Sequence, residues 1–139
     1  YAGNIIDGMT FRFENGQVTE VTAEKGEDTI RRLVKENDGG RSLGEVALVP
    51  DPSPISQSGI VFFNTLFDEN ASNQLALGSA YASSVVGGTE MTQEELAAAG
   101  LNRSTTHVDF MIGSADMNID GIRKDGSVMP IFRNGDWAF

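Results

Sequence analysis

The 139-residue sequence contains no cysteine. That excludes disulfides, thiolate metal sites and a cysteine nucleophile, and it is compatible with a reducing compartment, so a cytoplasmic location is expected. Histidine occurs once. One histidine cannot build the H-E-x-x-H pair of a zincin helix, and it leaves a single imidazole for any serine triad. No G-x-S-x-G, P-loop or Rossmann glycine pattern is present. Positive charge is scarce, with 10 Lys and Arg against 20 Asp and Glu and a net charge of -10. Binding to nucleic acid needs a basic face to meet phosphate, and this composition argues against it. No apolar run approaches the roughly 18 residues of a membrane span. The opening "YAGNIIDGMTF" lacks the basic and apolar regions of a signal peptide, and no membrane association is expected. It also lacks an initiator Met and reads as the tail of a strand already under way, so a piece of a longer chain is expected.

What remains is a chain 40% hydrophobic and 22% charged, which suits one globular domain over residues 1–139. Met9 to Phe13 and Val18 to Ala23 alternate apolar with polar residues around Asn15-Gly16, the signature of a hairpin with a type I′ turn. "GEDTIRRLVKENDGG" places Ile30, Leu33 and Val34 on one helical face and ends at Gly39-Gly40. "GEVALVP" reads as a short strand stopped by a proline-rich loop. "GIVFFNTLF" is strongly apolar, and its period does not separate a strand from a buried helix. "MTQEELAAAGLN" carries a Thr92–Glu95 capping box and a Gly100 stop. "HVDFMIG" reads as a strand. The Asp-Gly pairs at 120 and 125 and the Asn-Gly pair at 134 punctuate a β-meander. The expected class is α+β: a β-rich mixed or antiparallel sheet with two or three helices.

Three places offer chemistry. His107 and Asp109 stand at i and i+2, which puts both on one face of a strand. An aspartate among Val108, Phe110, Met111 and Ile112 is costly to bury unless paired or bound to a cation, although an exposed sheet face would also accommodate it. Asp68, Glu69 and Asn70 follow an apolar run, either as turn caps or as a presented carboxylate. Glu45 opens an apolar strand. Carboxylates with one imidazole form an oxygen-rich set suited to Zn, Co, Mn or Mg, and spacing does not choose among these.

Four blocks in fixed order, "LGEVALVPDPSPIS", "GIVFFNTLFDENAS", "LALGSAY" and "HVDFMIGSADMNIDGI", resemble the C-terminal part of the aminopeptidase T/aminopeptidase S family. These are two-domain, cobalt- or zinc-activated bacterial metalloaminopeptidases, and the resemblance runs essentially the whole chain. It implies release of N-terminal amino acids from peptides at a site holding two divalent ions, in a homodimer. Carried over position by position, it assigns metal ligation to Glu45, His107 and Asp109. Glu69 becomes a ligand or the general base, and Tyr81 a ligand or oxyanion donor. After "DENAS" the family pattern ordinarily has Cys-His, the histidine being a ligand; here Asn73 and Gln74 stand there, and Gln74 offers only a neutral carbonyl oxygen. A further family glutamate ligand would lie N-terminal to Tyr1, so the chain alone is expected to be inactive. The rival expectation is a metal-free dimerisation module. A carbohydrate- or peptide-binding β domain, suggested by Trp137 and the phenylalanines, is weaker still.

Overall fold

Asn15 and Gly16 adopt φ of 51° and 76°. Both central residues of a type I′ turn need positive φ, and the pair joins β1 (Thr10–Glu14) to β2 (Gln17–Thr22) as an antiparallel hairpin. A bulge between Arg12 and Phe13 shifts the register. Val18 and Val21 of β2 are buried. Helix α1 (Glu27–Glu36) packs against β2 and buries Ile30, Leu33 and Val34, the face that its period marks out. The helix stops at Glu36, with an extended Asn37 as cap, before the glycine pair that the sequence offered as its end. Asn37 Nδ2 donates to the Leu33 carbonyl at 2.8 Å, satisfying one of the last turn's acceptors.

The structure is a computed structural model describing residues 1–139. The chain divides into two compact units, Tyr1–Glu45 with Ala76–Val108, and Val46–Leu75 with Asp109–Phe139. A three-stranded sheet has the order β3 (Leu43–Ala47), β4 (Gln74–Gly78), β5 (His107–Met111). The class is α+β, with antiparallel hairpins and few helices, as the turn spacing implied.

In the first unit, Ala76 and Leu77 of β4 and Leu96 complete the buried core. Leu96 lies in α4 (Gln93–Ala98), which opens on the expected capping box: the Thr92 side chain accepts from the Glu95 amide and the Glu95 carboxylate accepts from the Thr92 amide. The helix closes with Gly100 N–H on the Ala97 carbonyl and Leu101 N–H on the Leu96 carbonyl, a Schellman arrangement that needs the positive φ of Gly100.

In the second unit, α2 (Pro54–Ser58) begins with Ser53 as N-cap and proline at its first position. The Ser53 hydroxyl also donates to the Asn70 carbonyl at 2.7 Å. "GIVFFNTLF" is neither a strand nor a buried helix. Residues 60–64 are irregular, and α3 (Thr65–Asp68) is a single turn. Its apolar side chains are exposed, Phe63 to 93%. The Asp68 carboxylate accepts from the Phe62 and Asn64 amides at 2.8 and 3.0 Å, which holds the loop in place of a sheet ladder. Phe63, between those two donors, has φ 55°, a left-handed conformation that is costly for a bulky side chain.

The meander consists of β6 (Ile119–Ile122), β7 (Val128–Arg133) and β8 (Asp136–Trp137), all antiparallel. Asp125-Gly126 and Asn134-Gly135 lie in its turns, but Asp120-Gly121 sits inside β6, opposite Pro130 and Met129. Pro130 is tolerated in the middle strand because β8 pairs only with Phe132 and Arg133. Phe132 is fully buried and meets Trp137 edge-on, with centroids 4.5 Å apart.

Candidate metal centre

The sheet β3–β4–β5 carries the ligand-type side chains. In the first unit, His107 opens β5 and Glu45 is the third residue of β3. His107 Nε2 lies 3.5 Å from Glu45 Oε2, and both side chains are about three-quarters buried, with 24% and 27% exposure. The other ring nitrogen, Nδ1, is 2.7 Å from the Ser79 carbonyl oxygen. A carbonyl can only accept, so Nδ1 carries the proton and donates it. In a neutral ring, the Nε2 lone pair then faces a carboxylate. Two electron-rich atoms face each other in this way when a cation stands between them or when the ring is protonated.

The backbone beneath this pair is tightly apposed. A Cβ on Gly44 would collide with the Ser79 carbonyl oxygen, and one on Gly78 would collide with the Thr106 carbonyl oxygen. Gly78 also has φ 108°, open to glycine but strained for other residues. Glycine at both positions lets β3, the end of β4 and the start of β5 approach closely enough for the ring to reach Ser79.

Asp109 is two residues beyond His107 on β5 and shares its face, as period 2 requires. It is half-buried. Tyr81 is mostly exposed, and its ring stands 5.5 Å from that of His107, tilted by 51°. Glu69, half-buried, opens a 3-10 turn, Glu69–Ala71. Gln74, the first residue of β4, is 3% exposed.

Two residues whose structural role the sequence did not signal matter here. Asn73 is buried, and its side-chain oxygen accepts from the Val49 amide at 2.8 Å. Its carbonyl accepts from the Ile112 and Gly113 amides at 2.8 and 3.0 Å, so this residue joins three chain segments of the second unit. Asn102 bonds to backbone on three sides in the first unit. Both are asparagines in ordinary polar contexts, and only the placement of distant backbone groups gives them their roles.

Comparison with known proteins identifies the family. Residues 1–137 match the family model described as thermophilic metalloprotease (M29), and the chain belongs to that family. Its relatives are aminopeptidases by name. Aminopeptidase PepS of Streptococcus thermophilus is 66% identical over 99% of this chain, and aminopeptidase AmpS of Bacillus subtilis is 64% identical over 100% of it. The chain spans about a third of the length of these relatives, 33% and 34% respectively. The solved structure titled wild-type AmpT from Thermus thermophilus superposes with a TM-score of 0.89 at 47% identity, covering 100% of this chain and 34% of that one. No helix here is long and apolar enough to cross a membrane.

Proposed function

We propose that this chain is the metal-site portion of a metal-dependent aminopeptidase that releases N-terminal amino acids from peptides. The observation that carries the reading is the Glu45–His107 pair, with Nε2 turned to the carboxylate by the Ser79 bond. Membership of a metalloprotease family and relatives named aminopeptidases support the same conclusion.

The donor set fits a divalent cation. Carboxylates and a neutral imidazole suit Zn, Co or Mn, and the carbonyl-held ring is the usual support for such a ligand. Glu45, His107 and Asp109 would hold the ion, and the Gln74 carbonyl oxygen would serve a second one as a weak neutral ligand. Bound there, divalent charge polarises a peptide carbonyl and makes water acidic enough to attack it near neutral pH.

The remaining steps belong to side chains. Glu69 accepts the proton of the attacking water and returns it to the departing amine. The Tyr81 hydroxyl donates to the carbonyl oxygen as negative charge builds on it. The family resemblance extends this to a cytoplasmic homodimer with two ions per site, and to a 139-residue piece that turns over little or no substrate by itself.

Elemental analysis of the full-length protein, with hydrolysis of aminoacyl reporter substrates, tests the reading. Bound Zn, Co or Mn with metal-dependent release supports it. Absence of both overturns it in favour of a dimerisation module. Glu69→Gln should lower kcat by about 100-fold or more with the fold intact; near-normal kcat refutes the base assignment. Robust hydrolysis by the isolated 139 residues would overturn the claim that this piece is insufficient.

A further inference from the structure

We propose that Asn102 is a positioning residue that fixes the Ser79 carbonyl, and through it the ring nitrogen that His107 presents to Glu45. The proposal rests on the metal reading above and extends it to a residue outside the ligand set.

The hydrogen bonds run on both sides of Ser79. Before it, the Gly78 carbonyl accepts from Asn102 Nδ2 at 2.6 Å. After it, the Ala80 amide donates to the Asn102 carbonyl at 2.9 Å. Asn102 thus holds the peptide group before Ser79 with its side chain and, through the Ala80 N–H, the same peptide group whose oxygen receives His107 Nδ1. The Ser79 amide itself donates to the Thr106 carbonyl at 2.8 Å, directly before His107. The backbone groups of this short run are bonded on both sides, and the Asn102 amide supplies the side-chain tie among them.

The same amide reaches the other strand. Asn102 Nδ2 lies 3.3 Å from the Ser42 carbonyl, which also accepts from the Gly78 amide at 2.9 Å. Ser42 immediately precedes β3, three residues before Glu45. A third contact, 2.8 Å to the Gly39 carbonyl, anchors the amide to the loop after α1. An amide carries two protons, so three carbonyls share them, with Ser42 the most distant. The side chain therefore links the approach to Glu45 and the support of His107.

A loop staple of this kind could serve stability alone. A positioning role makes a different prediction: removing the amide loosens the Ser79 carbonyl, and His107 loses its preference for the Nδ1–H form. Outer contacts that orient ligands are generally worth about 10- to 100-fold in metal affinity.

The experiment compares wild type, Asn102→Ala and Asn102→Ser in the full-length protein. Zn titration gives the metal affinity, and ring 15N shifts of the metal-free protein give the His107 tautomer, assigned through the signal lost in His107→Gln. Wild type should bind Zn and show predominantly Nδ1–H. Asn102→Ala should bind Zn about 10- to 100-fold more weakly and show a mixed tautomer. Asn102→Ser, which keeps one short donor, should fall between and decides the matter if the alanine variant does not fold. Unchanged affinity and tautomer, with only a lower Tm, would overturn the positioning role while leaving the metal reading standing. A wild type that takes up none of Zn, Co or Mn would overturn the metal reading, and the positioning role with it.

Discussion

The Ser79 carbonyl accepts a hydrogen bond from His107 Nδ1 at 2.7 Å, and that bond decides which ring nitrogen faces Glu45. An imidazole with neither nitrogen engaged can present either tautomer. Here the backbone has made the choice before any ion arrives, which lowers the cost of organising the site.

If His107 is a ligand, His107→Ala should weaken metal binding by more than the ~10- to 100-fold expected of an outer contact. Calorimetric titration with Zn or Co measures this directly. An affinity equal to wild type would remove His107 from the ligand set.

The backbone beneath the ring gives a second prediction. Gly87 has φ 73° with open space around it, whereas Gly78 has φ 108° and no room for a Cβ beside Thr106. Gly87→Ala should cost about 1 kcal/mol from conformation alone. Gly78→Ala should cost clearly more and should also weaken metal binding, because Ser79 must move. Equal Tm losses in the two variants would show that the close approach does not matter.

Stability at acid pH should depend on Glu27. Its carboxyl is held below the ordinary value of 4.5, first by the Ala23 amide and then by the Arg31 side chain, 2.8 Å away. The folded state therefore takes up this proton less readily than the unfolded chain. The resulting stability is present above about pH 4.5 and is lost as pH falls through the depressed folded value. Glu95, held low by the Thr92 amide, and Asp125, held low by Ser127, act in the same direction. Thermal melts of Glu27→Gln against wild type should differ at neutral pH and converge in acid. A difference that persists unchanged to pH 2 would contradict the assignment.

Phe63 offers a gain. At φ 55° and 93% exposure, its side chain buries little while its backbone is strained. Asparagine tolerates this conformation, so Phe63→Asn should raise stability by about 1 kcal/mol. Chemical denaturation reads the change, and a loss of stability would mean that the ring is held by contacts that outweigh the strain.

Features governed by nearest neighbours were legible in the sequence. Asn15-Gly16 specifies its turn because both residues tolerate positive φ, and Thr92 with Glu95 caps α4 because each side chain reaches only the other's amide. The shared face of His107 and Asp109 follows from the two-residue period of any strand. Asp120-Gly121 shows the limit: the same dipeptide that turns a chain elsewhere lies here inside β6, where the ladder to β7 outweighs local preference.

The sequence by itself determined α1 and α4, the Asn15-Gly16, Asp125-Gly126 and Asn134-Gly135 turns, the α+β class and the residue types available as ligands. Tertiary structure decided that His107 meets Glu45, which nitrogen it presents, and that Asn73 and Asn102 serve as ties, because these depend on backbone carbonyls and amides common to nearly every residue. It also decided that "GIVFFNTLF" is exposed. Apolar composition supplies a reason to be buried, but burial itself depends on what the rest of the fold places against the segment.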